Sequence, residues 1–194
     1  MKTKKSHKIS VFFAPTLCSL WLVFACSTPE KPKQNYLPYY NTPNFTPHWL
    51  SPEEAAQKDL HQIPDFAFVN QLGDTVTQAD FKDKIYVADF FFTSCPSICP
   101  KLTNNLKKVE EAFADNDKVM LISHSVTPWV DSIPRLKSYA ENYEIDNEKW
   151  YLVTGKQSEI YQLARQSYFA EEEPGFSRDS TEFLHTEHFL LIDK

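Results

Sequence analysis

Ile85-Tyr86-Val87-Ala88-Asp89-Phe90-Phe91-Phe92, running into Thr93-Ser94-Cys95-Pro96-Ser97-Ile98-Cys99-Pro100, decides how the 194-residue chain is read. The first eight residues are almost continuously apolar, β-branched and aromatic, the pattern of a strand buried on both faces of a sheet. The next eight hold two prolines, small polar residues and two cysteines. From position 98 to 114 the spacing of Leu102, Leu106, Val109 and Phe113 predicts an amphipathic helix. The cysteines therefore stand where a central strand ends and a helix begins. That is the end of an α/β sheet at which sites are built.

Working outward, residues 66–70, Gly73-Asp74 and residues 75–77 read as a β-hairpin. After the first helix come a strand at 119–123, a helix at 133–143, a short strand at 150–153, a helix at 157–168, an acidic loop at 169–182 and a strand at 188–192. The helix at 133–143 has Asp131 or Ser132 as its cap and Pro134 in its first turn. Strand and helix alternate, so the fold class is α/β with crossover connections. The element order is that of a thioredoxin-like fold: a central mixed sheet flanked by helices, with an N-terminal β-hairpin and an inserted strand–helix unit. The chain stops directly after a strand, so the strand and helix that normally close such folds are expected to be lacking.

The N-terminus is read as a targeting segment. Lys2, Lys4, Lys5 and Lys8 precede an apolar run over residues 9–25. That run ends in Leu22-Val23-Phe24-Ala25-Cys26, which resembles the lipobox of bacterial lipoproteins, in which the cysteine is lipidated. An uncleaved signal anchor is the alternative, although the run is short for a bilayer span. Either reading tethers the domain to a membrane outside the cytoplasm. Residues 1–25 are thus expected to be a signal peptide, 26–60 a proline-rich tether and 61–194 the thioredoxin-like domain. Six prolines between 27 and 52 keep the tether extended, while Tyr36, Tyr39, Tyr40, Phe45 and Trp49 point to packing of its later part on the domain. Without residues 1–25 the chain carries 16 basic against 26 acidic residues, a net charge of −10. So acidic a body argues against nucleic-acid binding and against a polybasic grip on anionic lipid.

Cys18 leaves with the signal and Cys26 carries lipid, so Cys95 and Cys99 alone remain in the folded body. A single close pair is a redox or metal site rather than a disulfide framework. A helix N-terminus offers unpaired amides and the positive end of the dipole, and both stabilise a thiolate. Side chains four residues apart share a helix face about 5–6 Å apart. Two sulfurs so placed can hold one metal ion or close a disulfide.

The stretch 89–100 resembles the SCO/SenC signature, a Phe-rich strand entering Cys-Pro-x-x-Cys-Pro. Ile63-Pro64-Asp65-Phe66, the segment 123–134 continuing to Leu136, Tyr139 and Ala140, and Leu184-His185-Thr186 with residues 189–193 resemble further parts of that family. The resemblance spans about residues 60–194. It implies a copper site, Cu(I) or Cu(II), formed by Cys95, Cys99 and His185. It also implies a copper metallochaperone of the cell envelope, facing the periplasm, that assists assembly of the cytochrome c oxidase copper centre. The partners implied are the copper-accepting oxidase subunit or another envelope cuproprotein, and a thiol reductant. Many family members carry an acidic residue where Leu184 stands and Asp where Thr127 stands, differences that bear on partner choice more than on metal binding.

Ligand chemistry agrees with that implication, because thiolates select Cu(I) and imidazole suits both oxidation states. A structural zinc would want a fourth ligand, which His124 or His188 would have to supply. His124 is expected beyond the end of its strand, on the surface, with a place beside the site as the alternative. His188, three residues after His185, is expected on the opposite face as a structural residue. Asp89 lies six residues before Cys95, the offset at which thioredoxins bury an aspartate that moves a proton to or from the second cysteine. The competing reading is an enzyme, a thiol–disulfide oxidoreductase. Such proteins usually carry Cys-x-x-Cys and a proline before the later strand, whereas residues 180–189 contain none.

Overall fold

The computed structural model describes residues 37–170 and 186–193. The signal segment, Cys26, the first part of the tether, most of the acidic loop and His185 lie outside the described residues. Strands β1 (Tyr39–Tyr40) and β2 (Pro47–His48) pair antiparallel, and a one-turn helix α1 (Pro52–Ala55) follows. The Ser51 hydroxyl and the Glu54 carboxylate cap α1 reciprocally, and Pro52 opens it where no N–H is needed. This segment packs on the body: Leu50 is buried, Phe45 and Phe169 meet edge to face, and the His61 ring lies tilted against Phe169.

The expected hairpin forms from β3 (Ala67–Val69) and β4 (Thr75–Thr77), in register Phe68↔Val76. Its turn is held by Asn70 Oδ1, which accepts from the amides of Leu72 and Asp74, and by Gly73, whose φ of 91° suits glycine. A 3₁₀ turn (Gln78–Phe81) leads to β5 (Ile85–Phe91), followed by α2 (Ile98–Ala112), β6 (Val119–Ser125), α3 (Ile133–Asn142), β7 (Trp150–Val153), α4 (Gln157–Gln162) and β8 (Leu190–Ile192). The sheet runs β7-β6-β5-β8, parallel except for β8, which lies antiparallel to β5. It is the mixed, helix-flanked sheet that the residue pattern predicts.

Side-chain alternation along the strands builds two cores. Tyr86, Ala88 and Phe90 of β5, with Met120 and Ile122 of β6, face the hairpin, Phe81 and α4. Val87 and Phe91, with Leu121, Leu152 and Trp150, face α2 and α3 through Leu106, Leu136, Tyr139 and Ala140. Burial on both faces explains the unbroken apolar character of β5. Gln71 stitches the hairpin turn to β7, donating to the Trp150 carbonyl and accepting from the Leu152 amide. Lys149, nearly buried, donates to the carbonyls of Phe113, Ala114 and Asn116 and so closes the C-terminal end of α2.

Besides shifts of one or two residues at other ends, three features differ from expectation. The strand expected to stop at Ser123 continues to Ser125. The helix expected over 157–168 ends at Gln162 and widens into a π turn, Leu163–Ser167, closed by the Tyr168 amide donating to the Leu163 carbonyl. Asp131 does not cap α3. Ser132 holds the N-cap position without a side-chain bond, and the aspartate is engaged elsewhere.

Candidate metal centre

The chain leaves β5 at Phe91 and turns at once, the Cys95 amide donating to the Phe92 carbonyl at 3.2 Å. Ser97 occupies the N-cap of α2, but its hydroxyl makes no capping bond. The orphan amides of the first turn are met by a sulfur instead: the Cys99 amide donates to Cys95 Sγ at 3.4 Å. Both cysteines are free and largely buried, in the core between β5, α2 and α3.

One local geometry splits the two thiols. Burial works against a Cys95 thiolate. The amide of Cys99, the amide of Ser97, the Cys99 thiol and the amide of Ile98 together outweigh it and bring Cys95 down to about 7. Cys99 goes the other way, to about 12. Burial is the main cause, reinforced by its role as donor to Cys95 and by the negative charges of Cys95 and Asp89, against the opposing Phe92 amide. Above neutral pH the pair thus presents one thiolate and one thiol. Iodoacetamide labelling read by peptide mass spectrometry should accelerate about tenfold between pH 6 and pH 8 at Cys95, with no matching step at Cys99. Equal pH profiles at the two positions would contradict this split.

Asp89 is buried on the same face of β5 as Phe91, and burial raises its carboxyl to about 7 against the opposing bond from Ser123. Ser123, its register partner on β6, accepts from the Trp150 indole N–H at 2.8 Å. Indole, hydroxyl and carboxyl form a buried polar string that ends within electrostatic range of Cys99. A carboxyl that gains and loses its proton near neutrality suits the role expected of Asp89.

His124 corrects an expectation. It lies inside β6, with no exposed surface, because the strand runs two residues further than its pattern indicated. Alternation sends it to the face of Met120 and Ile122, away from the cysteines. There its ring stacks on Phe90 and meets Phe66, Phe68 and Tyr168. Burial depresses its pKa to about 3. It is a core residue and not a fourth ligand. His188 is exposed and bonds the Thr186 hydroxyl, while exposed His61 bonds the Ser167 carbonyl. Among the described residues no three His, Cys, Asp or Glu side chains gather closely enough to hold a metal ion. The site there consists of the two sulfurs, a donor set that fits a soft, low-coordinate metal.

Asp131 is the group near the site that the residue pattern did not reveal. Fully buried, it accepts from Thr93, Ser125 and Thr127, partners up to 38 positions away. Nothing local to position 131 signals this.

A mixed sheet between helices, with a dithiol at the mouth of its central strand, defines a thioredoxin-like protein. Within that class the chain belongs to the SCO1/SenC family, whose model matches residues 54–194. It is 34% identical over 134 residues to the SCO1 protein homolog of Bacillus subtilis, covering 68% of each chain. Among solved structures it is similar to BsSco, a member of the Sco family of cytochrome c oxidase assembly proteins in which a disulfide switch has been identified. That match has 34% identity and a TM-score of 0.57, covering 68% of this chain and 77% of that one. It is also similar to a SCO1/SenC family lipoprotein from Bacillus anthracis, with 29% identity and a TM-score of 0.58, over 69% and 79% of the two chains.

Proposed function

We propose that this chain is a copper metallochaperone of the cell envelope, carrying its cargo on Cys95, Cys99 and His185 and delivering it to the copper centre of cytochrome c oxidase or another envelope cuproprotein. The observation that carries the reading is a free dithiol at a helix start, with Cys95 Sγ accepting from the Cys99 amide, in a chain of the SCO1/SenC family. Two soft sulfurs and one imidazole would give Cu(I) a three-coordinate site. The course of β8 supports the third ligand: it runs antiparallel to β5, so the chain enters it from the end of β5 where the cysteines lie. In this reading a two-electron acceptor oxidises the pair to a Cys95–Cys99 disulfide. That step releases the cargo, since disulfide sulfur is a poor ligand; the Cys99 proton has already passed to Asp89 when the ion is loaded. A thiol reductant restores the dithiol.

The reading includes an anchor. Residues 1–25 would be removed, Cys26 lipidated, and residues 26–60 would hold the domain away from the membrane on its periplasmic side. A lipoprotein relative in the same family supports this. Among the described residues no helix is long and apolar enough to cross a membrane.

The test is anaerobic Cu(I) titration of the full chain in detergent, beside His185→Ala. One tight equivalent per chain is expected, weakened more than about tenfold without the imidazole, beyond the lower end of what loss of a supporting residue alone costs. The split of thiol pKa values also favours a second reading, a thiol–disulfide oxidoreductase. It prevails if His185→Ala binds Cu(I) as tightly as wild type while the protein reduces insulin disulfides briskly.

A further inference from the structure

The loop that presents the cysteines has little to hold it. Pro96 lacks an N–H, Ser94 and Ser97 are exposed, and the Ser97 hydroxyl caps nothing. Yet this loop and the helix turn after it set where both sulfurs lie: the Cys95 amide donates to the Phe92 carbonyl, and the Cys99 amide donates to Cys95 Sγ. What ties the loop to the body is Asp131. Its carboxylate has no exposed surface and accepts from Thr93 twice, from the hydroxyl at 2.5 Å and the amide at 3.3 Å. The Ser125 hydroxyl at 2.6 Å and the Thr127 hydroxyl at 2.9 Å fill its remaining acceptor sites. The Arg135 guanidinium stands 3.8 Å away and donates to Thr93 Oγ1 at 2.6 Å, clamping the same hydroxyl from the solvent side. Thr93 follows Phe92, whose carbonyl receives the Cys95 amide and whose amide supports Cys99. It precedes Cys95 by two residues. Fixing Thr93 therefore fixes the backbone that touches both sulfurs.

We infer that Asp131, seconded by Arg135, is a positioning residue that holds the Thr93–Ser97 loop, and through it the Cys95 and Cys99 sulfurs, in the arrangement that takes one ion; this rests on the copper reading proposed above and deepens it. A carboxylate is required because every group facing it is a donor. An amide in its place would turn an NH2 toward donors and leave one of them unmatched. The Asp131 side chain lies in a different element from the cysteines and touches neither sulfur in the bonds described. Its effect is transmitted through the backbone of Thr93.

The experiment compares wild type with Asp131→Asn and, as a milder cut of the same tie, Thr93→Val, in the full chain in detergent. Three quantities are read: iodoacetamide reactivity of Cys95 at pH 7 by peptide mass spectrometry, the reduction potential of the Cys95–Cys99 pair against a glutathione series, and Cu(I) affinity. For Asp131→Asn the expectation is a fall of about tenfold in Cys95 reactivity and in Cu(I) affinity, the size typical of residues that orient ligands. About half of Cys95 is thiolate at pH 7, so its loss disfavours the reduced form by at most about twofold, and the potential should become more negative by about 10 mV. Thr93→Val should move all three the same way by a smaller factor. Wild-type reactivity and potential in a folded Asp131→Asn overturn the inference. If that variant does not fold, wild-type values in Thr93→Val overturn it. A wild type that binds no Cu(I) ends the copper reading and leaves the two thiol readouts to judge Asp131 on their own.

Discussion

Serine at either cysteine position should cost the protein its Cu(I): in anaerobic titration against a competing chelator, Cys95→Ser and Cys99→Ser are each expected to bind more than about a hundredfold less tightly than wild type, beyond the range seen when only a supporting residue is lost. The alcohol is a hard, protonated oxygen where a soft anionic sulfur stood. The two variants should not be equal. Cys99→Ser keeps the thiolate that three amides prepare at Cys95, whereas Cys95→Ser leaves a thiol that burial holds far above neutrality. Cys95→Ser should therefore be the weaker binder. The same asymmetry sets the proton count. Above pH 8 Cys95 has already ionised, so loading should release about one proton per ion, from Cys99. Either variant binding within about tenfold of wild type would remove the sulfur pair from the ligand set.

Two buried groups should pull the pH dependence of stability in opposite directions. Burial brings His124 down to about 3 in the folded chain, against 6.5 for a free imidazole. Between those values the unfolded state binds more protons, so this residue lowers stability as pH falls. Asp89 titrates at about 7 against 3.8, so between those values the folded state binds more protons and stability rises as pH falls. Each slope is about 1.4 kcal/mol per pH unit, and from pH 6.5 to 3.8 they offset each other. Removing one should expose the other. From pH 6.5 to 4, His124→Phe should gain about 3 kcal/mol relative to the wild-type trend, and Asp89→Asn should lose about 3 kcal/mol, in urea unfolding at the two pH values. Both variants following the wild-type slope would mean that neither group is held as its burial indicates.

Much of the fold could be read from local pattern, because local pattern is what builds it. The eight residues from Ile85 form a strand buried on both sides, and Leu102 and Leu106 mark the inner face of α2. The hairpin follows its Gly73-Asp74 turn. The cysteine pair was equally legible, since strand end, prolines and helix start are consecutive in the chain. What escaped depends on distant partners. Ser123, His124 and Ser125 read as the end of a strand because they are polar. They remain in it because Trp150 satisfies Ser123, Asp131 satisfies Ser125, and four aromatic rings enclose His124. Asp131 looked like a helix cap, the commonest use of an aspartate at that position, and its bond to Thr93 spans 38 residues. The widening at Leu163–Ser167 has no propensity signature, as Arg165 and its neighbours suit an ordinary helix equally well. The split of the two thiols follows from amide directions and burial, which appear only when the backbone is in place.

The bond from the Cys99 amide to Cys95 Sγ makes that sulfur part of the secondary structure as well as of the chemistry. A lone pair given to an ion or shared with a neighbouring sulfur leaves less negative charge for the backbone amide, and weakens the bond that it makes. On the proposed reading, loading, emptying and oxidation would each alter the opening turn of the helix, and an approaching partner would meet a different surface for each state of the cargo.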